Sequence, residues 1–269
     1  MIDLHCHILP GVDDGAKTLD DAVEMGRCAW EDGIEKIVAT PHMYRENISH
    51  VGFASIREKR EDLRKSLEKN DIPLDLLDGA EVYVTHHLLD EIRQNRMSLV
   101  INRGSYMFVE FPQEHVFAGV KDLFFDLMNE RIIPIIAHPE RNTAFVKKPS
   151  LLYELIRMGA RVQSNGGSFL GWYGRSAEEN AFKFLRYRFI HFVASDGHGV
   201  RSIPPRLSEA VKKIALVVGE EKALMMVQDN PQAVIDDRQL SYLPDPQDPG
   251  GLKKSFRFKM PKLLKRSNG

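Results

Sequence analysis

Side chains able to hold a metal ion recur along this chain at spacings that invite a common site: His5, His7, Asp13, Asp14, His42, Glu81, Glu110, His138, Asp196 and His198. His5 and His7 stand two positions apart, so an extended backbone places both imidazoles on one face, as a pincer for a cation. Asp13 and Asp14 follow in Gly11-Val-Asp-Asp-Gly15, a loop whose glycines permit tight turns. Mixed imidazole and carboxylate donors suit Mn, Fe or Zn better than Mg or Ca, which favour oxygen shells. Each piece alone has a plainer explanation, because a lone histidine or glutamate at a strand end is commonly a solvated loop residue. The set as a whole does not, since burying so many carboxylates without cations is costly.

To converge, these residues need a scaffold that sends one loop after another to the same place. Short apolar, β-rich segments alternate with segments of helical period, the pattern of an α/β fold on parallel strands. Strands are predicted near Ile2 to His5, Lys36 to Thr40, Leu76 to Val82, Tyr106 to Phe111, Ile132 to Ala137, Arg161 to Ser164 and Phe189 to Ala194. Helices are predicted near Leu19 to Asp32, Ser55 to Lys69, His87 to Gln94, Val116 to Asn129, Leu151 to Met158 and Ala177 to Arg186, with more after Pro205. Thr18 suits the N-cap of the first helix and Gly33 its C′ position. Nearly every predicted strand delivers a His, Asp or Glu at its C-terminal end, where barrels of parallel strands build their sites. Seven such strands suggest a distorted (β/α)7 TIM-like barrel. The run Pro244-Asp-Pro-Gln-Asp-Pro-Gly-Gly251 can continue neither a helix nor a central strand. Residues 1–245 are therefore expected to form one domain, and 246–269 a Pro/Gly hinge and a basic, flexible tail.

The 269 residues carry 37 Lys+Arg against 38 Asp+Glu, interspersed through most of the chain, which gives no case for nucleic acid. Only the tail departs from this balance. From Lys253 to Arg266 it holds basic residues and no acidic ones, interleaved with Phe256, Phe258, Leu263 and Leu264. That composition suits weak contact with an anionic membrane, and a solvated terminus is the plainer reading. Two cysteines, Cys6 and Cys28, are too few for a disulfide framework and compatible with a reducing compartment. With neither a spanning apolar run nor a signal-peptide pattern, the expected location is cytoplasmic.

The order His5-Cys-His7, Asp13-Asp14-Gly15, Thr40-Pro-His42, Gly79-Ala-Glu81, Glu110, His138-Pro-Glu-Arg141 and Ser195-Asp196-Gly-His198 resembles the PHP superfamily. The opening Met1-Ile-Asp-Leu-His-Cys-His7, the Gly11 to Gly15 loop and His138-x-Glu-Arg141 resemble more narrowly the tyrosine-protein phosphatases of bacterial capsule and exopolysaccharide biosynthesis, the CpsB/CapC type. The resemblance implies the PHP form of the barrel and three divalent metal ions, Mn first and Fe or Zn as alternatives. It implies one ion on His5, His7, Glu81 and Asp196, a second on Glu81, Glu110 and His138, and a third on Asp14, His42 and His198. Asp14 is the family-aligned ligand, while chemistry alone leaves Asp13 open. The implied reaction is hydrolysis of O-phosphotyrosine by a metal-bound hydroxide, without a covalent enzyme intermediate. A bacterial tyrosine kinase of polysaccharide assembly is the implied phosphoprotein partner. Two rivals stand beside this reading. Histidinol-phosphate phosphatase, or another PHP phosphoesterase, shares the cluster and differs in what its loops admit; a non-catalytic, metal-stabilised regulatory scaffold would be expected to have lost ligands.

For the substrate, Arg141 is the expected phosphate clamp, because a planar guanidinium donates two hydrogen bonds at once. The resemblance also implies a second arginine after Asp196-Gly-His198; Arg201 or Arg206 fits, and Arg201 is favoured because it stands nearer the ligands. Trp172, Tyr173 and the residues around Tyr44 are candidates to meet a phenyl ring. Cys6 is not a phosphatase nucleophile by this reading: the arginine such a loop needs six residues later is Val12. Cys6 and Cys28 are expected to be core residues.

Overall fold

The structure, a computed structural model, describes residues 1–45, 51–85 and 87–251, so the basic tail lies outside the described residues. Within them the chain is a mixed α/β fold whose paired strands all run parallel. The strands are β1 (Ile2–Cys6), β2 (Lys36–Ala39), β3 (His42–Met43), β4 (Asp75–Asp78), β5 (Glu81–Tyr83), β6 (Tyr106–Glu110), β7 (Ile133–Ala137), β8 (Arg161–Asn165) and β9 (Phe192–Ala194). One sheet has the order β1-β2-β4 and the other β3-β5-β6-β7-β8-β9. Strands β1 and β6 are buried along their whole length, as expected of parallel strands covered on both faces.

The predicted strand from Leu76 to Val82 is divided into β4 and β5, and the short β3 lies beyond the predicted Lys36 to Thr40. The run from Lys36 breaks at Thr40-Pro41, where proline has no N–H to give the ladder, and the run from Asp75 breaks at Gly79-Ala80. Backbone bonds bridge the breaks: Thr40 N–H donates to the Cys6 carbonyl at 3.0 Å and Glu81 N–H to the Pro41 carbonyl at 3.0 Å. The chain beyond β9 returns to β1, with Asp196 N–H donating to the His5 carbonyl at 2.8 Å and His7 N–H to the Gly197 carbonyl at 2.9 Å.

Between the strands lie the helices α1 (Leu19–Glu31), α2 (Phe53–Lys69), α3 (Leu88–Leu99), α4 (Val120–Asn129), α5 (Thr143–Lys147), α6 (Pro149–Met158), α7 (Gly166–Leu170), α8 (Arg175–Arg186), α9 (Ser208–Val218), α10 (Glu220–Met225) and α11 (Asp229–Ile235). Thr18 and Asp21 close a reciprocal capping box on α1, and Gly33 follows that helix at φ +85°. Short α5 and α7 were not expected from periodicity. Each is anchored by contacts that lie outside a local window.

The core has two parts. The larger lies among the helices and the faces of the strands they cover. The smaller is built from Ile2, Leu4, Val38, Phe108, Ile135 and Phe192, strand residues that meet one another, with Ile101, Val234 and Ile235 beneath. The Pro/Gly segment does not leave the body at once, because Pro244 is buried and Gln247 N–H donates to the Tyr187 carbonyl at 2.9 Å.

Candidate metal centre

The ligand-type residues converge where the strands end. His5 sits near the end of β1 and His7 just beyond it, His42 opens β3, Glu81 opens β5, and Glu110 closes β6. His138 follows β7 and Asp196 follows β9, both at positive φ (32° and 54°), a turn that side chains rarely adopt. Gly15 holds the Asp13-Asp14 loop against β1: a Cβ there would lie 1.9 Å from the His7 carbonyl oxygen.

Hydrogen bonds set the imidazoles. His5 Nδ1 lies 3.2 Å from Gln163 Oε1, His7 Nδ1 lies 2.8 Å from Asp13 Oδ2, and His198 Nδ1 lies 2.7 Å from the Asp196 carbonyl oxygen. Each acceptor holds the proton on Nδ1 and leaves an Nε2 lone pair for the cluster. His5 Nε2 and His7 Nε2 then face each other at 3.2 Å, with Glu81 Oε2 3.4 Å from both. Two lone pairs and a carboxylate oxygen aimed at one point call for a cation or a proton between them. His42 Nδ1, Glu81 Oε2 and Glu110 Oε2 form a second such place. Nδ1 lies 2.9 and 3.5 Å from the two oxygens, yet all three atoms are buried without an aligned hydrogen bond. The donors thus fit divalent cations, and they fall into four close groups: His5, His7 and Glu81; His5, His138 and Asp196; His42, Glu81 and Glu110; and His7, Asp14, His42 and His198.

Charge follows the same logic. Burial opposes ionisation of Glu81, yet His5 and His42 hold its carboxyl well below the usual range. Neighbouring Glu110 is raised instead, by burial and by the Glu81 charge. Burial likewise disfavours a charged His42, but the Glu81 charge and the Asp14 bond raise it to about 9. Asp13, despite burial, is lowered to about 2 by His7 and by backbone N–H bonds. A site that draws protons onto histidines beside ionised carboxylates is one in which metal ions can take their place.

The surrounding cavity measures about 390 Å³, and its lining includes Asp14, His42, Glu81, Glu110, His138, Asp196 and His198. Over this same stretch, a family model described as "Capsular polysaccharide synthesis, CpsB/CapC" matches residues 1–236. The chain belongs to the CpsB/CapC family. The tyrosine-protein phosphatase YwqE of Bacillus subtilis is 36% identical over 258 residues, spanning 96% of this chain and 100% of that protein. CpsB of Streptococcus pneumoniae, also named a tyrosine-protein phosphatase, is 29% identical over 243 residues, spanning 88% and 99%. Among solved structures, a chain from the work on YwqE and S. pneumoniae CpsB, described there as unique metal-dependent tyrosine phosphatases, aligns with TM-score 0.85 at 36% identity. That alignment covers 91% of this chain and 99% of that one.

Within this CpsB/CapC chain the two neighbouring aspartates separate. Asp14 Oδ1 lies 3.4 Å from His42 Nε2 and 3.3 Å from His198 Nε2, whereas Asp13 stands behind the cluster against His7 Nδ1. Arg141 lines the cavity, donating from Nη1 to Asp196 Oδ2 at 2.9 Å. Arg201 and Arg206 do not line it. The turn closed by the Gly199–Ile203 bridge presents Ser202 and Ile203 instead, leaving Arg201 exposed, and Arg206 Nε donates to Cys28 Sγ at 3.1 Å. Trp172 and Tyr44 are also absent from the lining, whose aromatic members are Tyr83, Phe111 and Phe145.

Sequence reasoning missed Arg45, whose Nη1 lies 2.7 Å from His42 Nε2 and 3.5 Å from Glu110 Oε1. It also missed the polar support beneath the ligands. Gln163 Nε2 donates to Asn165 Oδ1 at 2.8 Å, and Asn165 Nδ2 donates to Asp196 Oδ2 at 2.6 Å. Asp3, raised to about 6 by burial although Ser195 bonds oppose this, accepts from the Ser195 N–H and hydroxyl. An aspartate two places before His5 on a buried strand was the available signal for Asp3. Nothing local marks Arg45.

Proposed function

We propose that this chain is a metal-dependent protein-tyrosine phosphatase that hydrolyses O-phosphotyrosine on protein. The observation that carries the reading is the pair of Nε2 lone pairs of His5 and His7 meeting beside Glu81, in a chain 36% identical to a tyrosine-protein phosphatase along nearly its whole length. The scaffold is read as a distorted (β/α)7 barrel of PHP type, supported by the return of the chain after β9 to β1 and by the apolar plug from five strands. Its domain is placed at residues 1–245.

Three divalent ions, Mn in the first instance, are assigned to His5, His7, Glu81 and Asp196; to Glu81, Glu110 and His138; and to Asp14, His42 and His198. When bound, such ions lower the pKa of water toward neutrality and neutralise charge on phosphoryl oxygens. The chain's own residues do the rest. Asp13, Gln163 and the Asp196 carbonyl keep the imidazole protons on Nδ1. Arg141 and Arg45, the arginines of the cavity lining, are placed to donate to phosphoryl oxygens. Tyr83, Phe111 and Phe145 offer apolar surface for the phenyl ring. Cys6 and Cys28 are free and buried, in keeping with work in the reducing cytoplasm. No helix among the described residues is long and apolar enough to cross a membrane. A tyrosine kinase of polysaccharide assembly is the proposed phosphoprotein partner.

The test compares a phosphotyrosine peptide, a phosphoserine peptide and histidinol phosphate side by side at saturating Mn. The expected kcat/KM is at least about tenfold higher for phosphotyrosine, roughly 1.4 kcal/mol, the scale of one good aromatic contact. EDTA is expected to abolish turnover and Mn to restore it. Preference for histidinol phosphate would overturn the tyrosine reading and leave the metal phosphoesterase.

A further inference from the structure

We infer that a second cavity beside the metal centre binds the stretch of polypeptide adjoining the phosphotyrosine, an inference that rests on the phosphatase reading above. This cavity measures about 340 Å³, the scale of a small-ligand site, and shares Gln113 and Arg141 with the first. Glu140, Lys147, Tyr173 and Asn180 are among its other walls. Arg141 is the pier between the two: on one side it donates to Asp196, and on the other its guanidinium lies 4.3 Å from the centre of the Tyr173 ring. A phosphoryl group and ring held in the first cavity therefore bring the attached main chain past Arg141 to the second.

The chemistry of the walls suits a peptide. Gln113 and Asn180 carry amides that both donate and accept, as recognition of backbone N–H and C=O requires. Glu140 is only 1% exposed. Its Oε1 accepts from Asn165 N–H at 2.9 Å and from the Ser168 hydroxyl at 2.7 Å, while Oε2 is buried without a hydrogen-bond partner. A buried carboxylate oxygen left in this state is costly, and it lies in a residue of the cavity wall. Exposed Lys147 adds a cation at the rim, so an acidic residue next to the phosphotyrosine is favoured. A small aryl phosphate ends at the shared Arg141 and Gln113 and reaches neither Asn180 nor Lys147.

The test uses the full chain with Asn180→Trp, which fills the cavity, and Lys147→Ala, which removes the rim cation, each checked for an unchanged melting temperature. Steady-state kinetics are measured on p-nitrophenyl phosphate and on an acidic phosphotyrosine peptide. Binding of the matching non-hydrolysable phosphonate peptide is followed by fluorescence anisotropy. Asn180→Trp is expected to raise the peptide KM and weaken the phosphonate peptide about tenfold, Lys147→Ala about threefold, with p-nitrophenyl phosphate within about twofold of wild type. Losses of equal size on both substrates, or no loss on the peptide, overturn the inference alone. Wild-type protein that hydrolyses neither substrate overturns the phosphatase reading and this inference with it.

Discussion

At Asp13 the side chain accepts from His7 Nδ1, from the His42 N–H at 3.0 Å and from the Gly15 N–H at 2.9 Å. It orients His7 and His42 without being grouped with them. Asp13→Asn keeps the shape and puts an N–H or a weaker acceptor against His7, disturbing the tautomer. The expected result is a loss of metal affinity of about 10–100-fold, read by titration of the metal-depleted protein. Glu81 acts more directly, since its carboxylate lies within 3.4 Å of His5, His7, His42 and His138 nitrogens. Glu81→Ala is expected to lower bound metal at two positions together, measured by elemental analysis, whereas Cys6→Ser is expected to retain most activity. A fully active Glu81→Ala enzyme would falsify the proposed assignment of Glu81 to two ions.

Among the elements, the β8–β9 joint carries a pH dependence of its own. His191 is fully buried, its Nδ1 accepts from the Val162 N–H at 3.1 Å, and burial together with the Arg161 charge lowers it to about 3. Unfolded, the same imidazole titrates near its ordinary value of about 6.5. Between these values the unfolded chain holds the extra proton. The His191 contribution is therefore intact above about 6.5 and is lost as pH falls through the window, by up to about 1.4 kcal/mol per pH unit. His191→Gln retains an acceptor for Val162 and removes the titration. Urea unfolding at about pH 7.5 and about pH 5.5 is expected to show a smaller drop for the variant than for wild type, by about 1 kcal/mol. Equal drops would rule out His191 as the source.

For the molecule as a whole, the metal centre concentrates buried charge at the point where most strands end. Glu81, Glu110 and Asp196 are each at least nine-tenths buried, among histidines from four separate segments. Cations that bind the folded centre and not the unfolded chain raise stability by mass action, about 2.7 kcal/mol at a hundredfold excess over Kd. For a chain of this size that corresponds to a Tm rise of roughly 5–10 °C. Thermal denaturation in Mn against excess EDTA measures it, and identical melting curves would mean that the buried cluster is held by protons and not by metal.

The sequence by itself determined the elements and the kind of chemistry. Alternating apolar and helical segments, the Thr18 cap and the two-residue spacing of His5 and His7 are preferences written within a few residues, and the structure follows them closely. The residue types at strand ends were legible for the same reason, because a parallel α/β fold delivers those ends to one side. What only the tertiary structure decided depends on partners far along the chain. Asp13 and Asp14 have the same neighbours in sequence, and only the positions of His7, His42 and His198 separate their roles. Arg201 and Arg206 both suited a phosphate, yet the turn at Gly199–Ile203 and the Cys28 thiol, 178 residues from Arg206, direct them elsewhere. His5 takes its tautomer from Gln163, 158 residues away, and Asp3 finds Ser195 across 192. Hydrogen bonds between such distant groups exist only once the sheets have formed, so no local pattern of residue types can encode them in advance.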